Sequence, residues 1–166
     1  MGKVLNYFGN GVAGAVSRSV DDIIISVKNA GGTEIPFGAP VFLTSGGAVP
    51  FNMTSPQDFD AFLGFAVRVA DKTPDAYPQD QAGIPQIGTW KPGDVMEVLV
   101  RGSIAVPVSA SGEQGGKVYI RKSDGALTAA AGQSGTTVLL ENVHIRNPQG
   151  VGEQVAEVVV NSRNLI

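Results

Sequence analysis

Residue types that catalyse reactions or hold metal ions are scarce in this chain. It has no cysteine and a single histidine, His144. Thiolate nucleophiles, zinc ribbons and iron–sulfur clusters need cysteine, and a multi-histidine metal site needs a second imidazole. The G-x-S-x-G turn of many serine hydrolases is not found, because Ser134 lies in Gly-Gln-Ser-Gly, one residue short of that motif. We therefore expect no enzymatic activity, no metal site and no cofactor.

Two short motifs resemble functional sites without the surroundings that such sites need. Residues 9–14 match the dinucleotide-binding pattern G-x-G-x-x-G, which joins a strand to a long helix. Here a strand is predicted from residue 22 instead, so we interpret these glycines as part of a flexible arm. Asp58 and Asp60 flank Phe59, but the calcium-loop pattern is absent. Acids at a helix start are also favoured by the helix dipole, which makes a structural role sufficient.

Size and charge limit the classes of partner. The chain has 166 residues and a net charge of −3, from 12 basic and 15 acidic residues, and 16% of its residues are charged. Phosphate neutralisation dominates nucleic-acid affinity, so a lightly charged acidic chain is a poor nucleic-acid binder. No apolar run is long enough to predict a transmembrane helix. We expect one domain, with neither nucleic acid nor a membrane as a direct partner.

The composition indicates the elements that must position any site. There are 22 Val and 10 Ile against 8 Leu, together with 22 Gly and 10 Pro. β-Branched residues favour strands, and glycine and proline mark turns. The sequence therefore predicts an all-β fold, a small β-barrel or sandwich of about ten short strands, with at most one short helix.

Alternation of apolar and polar residues predicts the individual elements. The predicted strands are 22–28, 39–44, 48–51, 62–70, 95–101, 103–108, 117–122, 126–130, 137–140, 143–147 and 153–161. Hairpin turns are predicted at residues 45–47 and at Asp124-Gly125. Ser55, Pro56 and Asp58 predict the start of the one short helix. Residues 95–100 and 151–160 are apolar on both faces, which favours coverage by a second subunit.

Two segments carry no strand pattern. Residues 1–20 contain four glycines and two bases but no acid, and they predict an extended N-terminal arm ahead of a single β domain of residues 21–166. Residues 71–89 form a long connection with three prolines. Loops longer than about 15 residues inside a compact domain are usually functional or disordered.

From residue 64 onward, turn and strand patterns follow one another in a characteristic order. They are Gly64-Phe65-Ala66-Val67-Arg68, Trp90-Lys91-Pro92-Gly93-Asp94-Val95, residues 98–106, Gly116-Lys117-Val118-Tyr119 with Asp124-Gly125, and residues 155–161. This order resembles the capsid decoration, or structural cement, proteins of tailed bacteriophages. The resemblance rests on turns and strands rather than on a catalytic signature.

The resemblance implies a virion protein on the outer surface of the capsid. Such a protein binds the assembled major capsid protein and stabilises the phage head. The resemblance also favours a homotrimer, with a dimer as the alternative. Apolar anchors in the arm and acids in the long loop are the candidate capsid contacts: Val4, Leu5, Tyr7, Phe8, Arg18, Asp71, Asp75 and Asp80.

Two other classes of function fit parts of the sequence. A small trimeric β hydrolase of the deoxyuridine triphosphatase type has a similar length and β content, but its glycine-rich C-terminal phosphate loop does not appear in residues 151–166. A phage tail, fibre or baseplate domain, or a carbohydrate-binding β module, needs aromatic side chains on one exposed face. Trp90 is the single tryptophan available for such a face.

Overall fold

The computed structural model describes residues 10–51, 61–69, 88–110, 112–149 and 155–161. These ranges form eleven strands and contain no α-helix. The strands are β1 (Val16–Lys28), β2 (Ile35–Pro36), β3 (Pro40–Thr44), β4 (Gly47–Pro50), β5 (Phe62–Ala66), β6 (Thr89–Trp90), β7 (Val95–Pro107), β8 (Lys117–Arg121), β9 (Leu127–Thr128), β10 (Thr137–Asn147) and β11 (Val155–Val160). The predicted all-β class is confirmed. The predicted helix at Ser55–Asp58 lies outside the described residues, and no helix within them is long and apolar enough to cross a membrane.

Nine of the strands form one antiparallel sheet that curls into a half-barrel. Its order is β4-β3-β5-β7-β11-β10-β8-β9, and β1 pairs with β7 in addition. Strands β2 and β6 pair separately as a two-stranded sheet. The hairpins predicted at residues 45–47 and at Asp124-Gly125 are confirmed by the antiparallel pairs β3–β4 and β8–β9.

The described residues bury two hydrophobic cores on opposite faces of this sheet. The first is lined by Phe42, Phe62 and Phe65 together with apolar residues of β7, β8, β10 and β11. The second packs Ile35 of β2 and Trp90 of β6 against β3, β5 and β7. Alternate residues of a strand point to opposite faces, so β5, which is buried along its whole length, serves both cores.

The even-numbered side chains of β7 move from one core to the other part-way along the strand. Met96, Val98 and Val100 lie in the second core, whereas Ile104 and Val106 lie in the first. Strict alternation would keep all five even-numbered side chains on one face. The exchange takes place at Gly102, whose φ of 120° is open to glycine and unfavourable for other residues. The positive φ at Gly102, opposite an irregular part of β1, therefore lets one strand serve both cores.

The strand boundaries predicted at this glycine were wrong. Residues 95–101 and 103–108 were predicted as two strands joined around Gly102, but β7 runs continuously from Val95 to Pro107. Residues 137–140 and 143–147 likewise form the single strand β10, which shifts register against β8 between Leu140 and His144. A bulge breaks alternation as a turn does, while the chain continues in the same direction.

Both faces of β7 are covered within one chain. Pairing with β1, β5 and β11 satisfies its edges, and the two cores cover its faces. The apolar pattern of residues 95–100 therefore does not require a second subunit.

We expect Gly102→Ala to lower the free energy of unfolding by about 1–3 kcal/mol. The positive φ strains any L side chain, and an added Cβ would overlap the Oδ1 atom of Asp22. Urea unfolding followed by tryptophan fluorescence measures the change. Gly32→Ala is the matched control, because nothing lies within 4 Å of its added Cβ. Equal unfolding free energies for the two variants would contradict the structural role of Gly102.

Candidate functional site

Most of the predicted contact residues lie outside the described part of the chain. Val4, Leu5, Tyr7 and Phe8 precede residue 10, and Asp71, Asp75 and Asp80 belong to the undescribed residues 70–87. Arg18 is the exception, since its backbone lies in β1 opposite Ser103 of β7. The assignment of these residues to a contact surface stays a prediction.

The chain is bound to the sheet from Asn10 onward. The side-chain amide of Asn10 donates to the carbonyl oxygens of Pro148 and Val155, each at 3.0 Å. Its carbonyl oxygen accepts from the Asn147 amide at 2.8 Å. These three hydrogen bonds join the N-terminal region to the ends of β10 and β11.

Gly14 joins the same region to β7 and β5. Its N–H donates to Ala105 O, and its carbonyl oxygen accepts from Arg68 N, each at 2.8 Å. The approach is close, because a Cβ on Gly14 would lie 2.7 Å from the Cβ of Phe37. Pairing in β1 then begins at Val16, opposite Ile104. Residues 10–20 of the predicted arm therefore contact the β domain directly.

An irregular segment of β1 stands opposite Gly102. Arg18 pairs with Ser103 and Ile23 pairs with Arg101, so residues 19–22 all lie opposite one residue of β7. We call residues 19–22 the β1 bulge. Val20 lies within it, and its side chain is 99% exposed.

The β1 bulge is braced at its C-terminal side by two carboxylates. Asp21 forms an ion pair with Arg101. Asp22 Oδ1 accepts a hydrogen bond from Ser103 N at 3.3 Å and occupies the space that a side chain at Gly102 would need. Asp22 Oδ2 is buried, and no described group donates to it. The bulge is thus a built feature rather than a frayed strand.

Buried polar side chains near this bulge form hydrogen bonds between strands. Glu157 is 5% exposed and accepts from the Ser17 hydroxyl at 2.7 Å. Ser103 is 2% exposed, and its hydroxyl oxygen accepts from Arg146 at 2.9 Å. These bonds fasten β1 to β11 and β10 to β7, because a buried polar group without a partner is costly.

The histidine has an amide for a partner rather than an acid. His144 Nδ1 lies 2.7 Å from Asn161 Nδ2, and this contact joins β10 to the end of β11. Within the described ranges, no group of three or more histidine, aspartate and glutamate side chains is placed to hold a metal ion.

A groove lies at one end of the strand order, beside β8 and β9. It has a volume of about 680 Å³ and is lined by residues 109–110, 121–123, 128, 130–132 and 135–137. We call it the β8–β9 groove. Its lining contains alanine, glycine, serine and threonine with two cations, Arg121 and Lys122, and no acid or imidazole. Such a lining can bind a partner but offers no general base.

Comparison with known proteins decides the family. A family model described as structural cement protein (E217 gp24/Pam3 gp6) matches residues 2–161. The chain belongs to this family. The resemblance seen in the turn and strand patterns is thereby confirmed, and the cement protein is a virion protein with a capsid-stabilising decoration role.

A solved structure shares the fold of this cement protein. A chain from "The capsid of Myoviridae Phage XM1" is 18% identical, with a TM-score of 0.71 over 97% of this chain and 96% of that one. A search of curated proteins gave no match.

Sequence reasoning did not identify the β1 bulge or the β8–β9 groove as surfaces. Asp21 and Asp22 are visible before three isoleucines, but no local signal shows that they brace a bulge against β7, because their partners Arg101 and Ser103 are distant in sequence. The groove gave none, since its walls come from four separate segments.

We expect the hairpin beside the groove to lose stability in acid. Arg121 Nε donates to Asp124 Oδ1 at 2.8 Å, and this hydrogen bond holds the pKa of Asp124 below its ordinary value of 3.8. A lowered folded-state pKa gives stability that is present above pH 3.8 and is lost as the pH falls through the lowered value. Asp124→Asn should therefore be slightly less stable than the wild type at neutral pH and equal to it in strong acid.

Urea unfolding at a series of pH values from neutral to strongly acidic checks this expectation. Glu113→Gln is the control, because Glu113 is an exposed carboxylate that makes no ion pair with a described residue. A stability difference between Asp124→Asn and the wild type that is constant at all pH values would contradict the assignment.

Proposed function

We propose that this cement protein binds the assembled major capsid protein on the outer surface of the head. By bridging neighbouring capsid subunits it stabilises the expanded shell against internal DNA pressure, and it catalyses no reaction. The observation that carries the proposal is the family match over residues 2–161. The polar side chains of the described part support it, because they pair to hold strands together and line a groove without a general base.

The first proposed capsid contact is the segment that precedes Asn10. Val4, Leu5, Tyr7 and Phe8 are four apolar side chains within five residues. Burying each stabilises a complex by roughly 1.5–3 kcal/mol before the cost of ordering the chain. Asn10 is fixed by its three hydrogen bonds, so a clamp made by residues 1–9 would start from a firm attachment point.

The second proposed contact is the acidic loop. Asp71, Asp75 and Asp80 lie in a connection that contains Pro74, Pro78 and Pro85. Prolines reduce the entropy lost when a loop is ordered, and three carboxylates suit basic residues on the capsid. Arg18, at the start of the β1 bulge, completes the proposed set.

We also propose that the cement protein self-associates as a homotrimer, with a dimer as the alternative. The family resemblance favours three copies, since decoration proteins commonly occupy three-fold positions. The exposed Val20 of the β1 bulge supports an apolar contact with another protein.

Co-sedimentation with expanded empty capsids tests the main proposal. The protein should pellet with capsids and raise the temperature at which they disassemble, because it adds contacts between subunits. Nucleotide, ester and glycan hydrolysis assays on the same preparation test the enzyme alternative. Failure to pellet with capsids would overturn the proposed function, and hydrolysis abolished by a single carboxylate substitution would overturn the absence of catalysis.

Deleting residues 2–9 should weaken capsid binding by about tenfold or more while the protein still folds. The deletion removes the four apolar anchors and leaves Asn10 and Gly14 in their hydrogen bonds. Circular dichroism and thermal unfolding confirm folding, and a capsid-binding isotherm measures affinity. Deleting residues 2–18 is the contrasting variant, which should also lower the melting temperature because it removes those bonds. Unchanged capsid affinity after the shorter deletion would refute the clamp.

A further inference from the structure

Three large apolar side chains are exposed within a run of five residues that begins in the β1 bulge and continues just after it. Val20 is 99% exposed, Ile23 37% and Ile24 42%. Scattered exposed apolar residues need no explanation, but a cluster of them marks a contact surface. The other exposed large apolar residues of the described part, Val12 and Val95, lie outside this run.

The bulge in which this run begins costs folding free energy. Asp22 keeps one buried carboxylate oxygen without a described donor, and Gly102 is held at a φ of 120° beside it. A regular pairing of β1 with β7 would need neither feature. In return, Val20 is presented on a braced segment, which lowers the entropy lost when it binds.

The β8–β9 groove offers a second surface, separated from β7 in the strand order by β11 and β10. Ala130, Ala131 and Gly132 supply small apolar walls, and Lys122 supplies a cation that forms no ion pair with a described residue. Residues 19–22 contain two carboxylates. Asp22 is turned onto Ser103 N, whereas Asp21 pairs with Arg101 and keeps a side chain that is 71% exposed. The groove volume of about 680 Å³ exceeds what a valine side chain needs. The groove therefore has room for the Val20 side chain, and its Lys122 offers a second cation to the exposed Asp21.

We propose that the β1 bulge of one copy docks into the β8–β9 groove of a second copy. Val20 contacts Ala131, and Asp21, whose side chain is 71% exposed, faces Lys122. The inference rests on the proposed self-association and names its interface. Because the two surfaces differ, the contact is head-to-tail. Such contacts build a ring when the rotation between copies closes, and a trimer requires a rotation of one third of a turn.

Cysteine pairing tests this contact directly, because the chain has no cysteine of its own. The double variant Val20→Cys with Ala131→Cys should form covalent oligomers on oxidation, seen on a non-reducing gel. The matched control is Val95→Cys with Ala131→Cys, in which Val95 is also exposed, at 67%, but lies outside the bulge. This control and the single Val20→Cys variant should stay as single chains.

The oxidation is carried out both in free solution and on expanded capsids, so that an assembly formed only on the shell is included. Absence of the cross-link in both settings overturns the interface. Dimers formed by Val20→Cys alone also overturn it, because they place two bulges against each other. In either case capsid co-sedimentation is measured separately, so the proposed function is judged on its own result.

A second measurement does not depend on cysteine. Val20→Asp should weaken self-association by about tenfold or more in sedimentation experiments, without lowering the melting temperature, because the side chain is exposed. Lys122→Glu should weaken it too, whereas Lys122→Arg should retain it. Self-association that is unchanged in Val20→Asp and Lys122→Glu would overturn the proposal.

Discussion

The exchange of faces at Gly102 is the constraint on which the rest of the structure depends. Strand β7 supplies Val98 and Val100 to one core and Ile104 and Val106 to the other, so the two cores meet in a single strand. Without this exchange, Ile104 and Val106 would point away from the core that β8, β10 and β11 enclose. The curled sheet and the smaller β2–β6 layer would then lose their shared wall.

The same constraint connects the fold to the candidate interface. The Asp22 carboxylate occupies the space that a side chain at residue 102 would need, so only glycine fits there. Asp22 reaches this place because β1 bulges at residues 19–22. Val20 is exposed as a consequence of that bulge. The most exposed valine of the described part therefore lies in the bulge that also places Asp22 against Gly102.

Local patterns predicted most of the strands and both hairpins, but not the bulges, the first residues of β1 or the short strands β2 and β6. Alternation predicted residues 22–28 and 117–122, and Asp124-Gly125 predicted its turn, because each signal lies within a few residues. Whether the chain reverses direction at a glycine or continues as one strand depends on the residues that surround the glycine in space. For Gly102 one of these residues is Asp22, whose partner Ser103 is 81 residues away in sequence. The hydrogen bonds of Asn10 could not be predicted either, because their acceptors, Pro148 O and Val155 O, are distant in sequence.

The function was recognisable from the order of turns and strands, whereas no single residue carried it, and this follows from the physics of the task. Catalysis concentrates on a few titratable groups whose types and spacing are visible in a sequence. Stabilising a shell requires many modest contacts spread over apolar and charged surfaces, repeated at every copy. Neighbouring copies on one shell act multivalently, so a weak contact per copy gives a strong total. The scaffold that presents those surfaces is built from turns and strands, and these are the features on which the family resemblance rests.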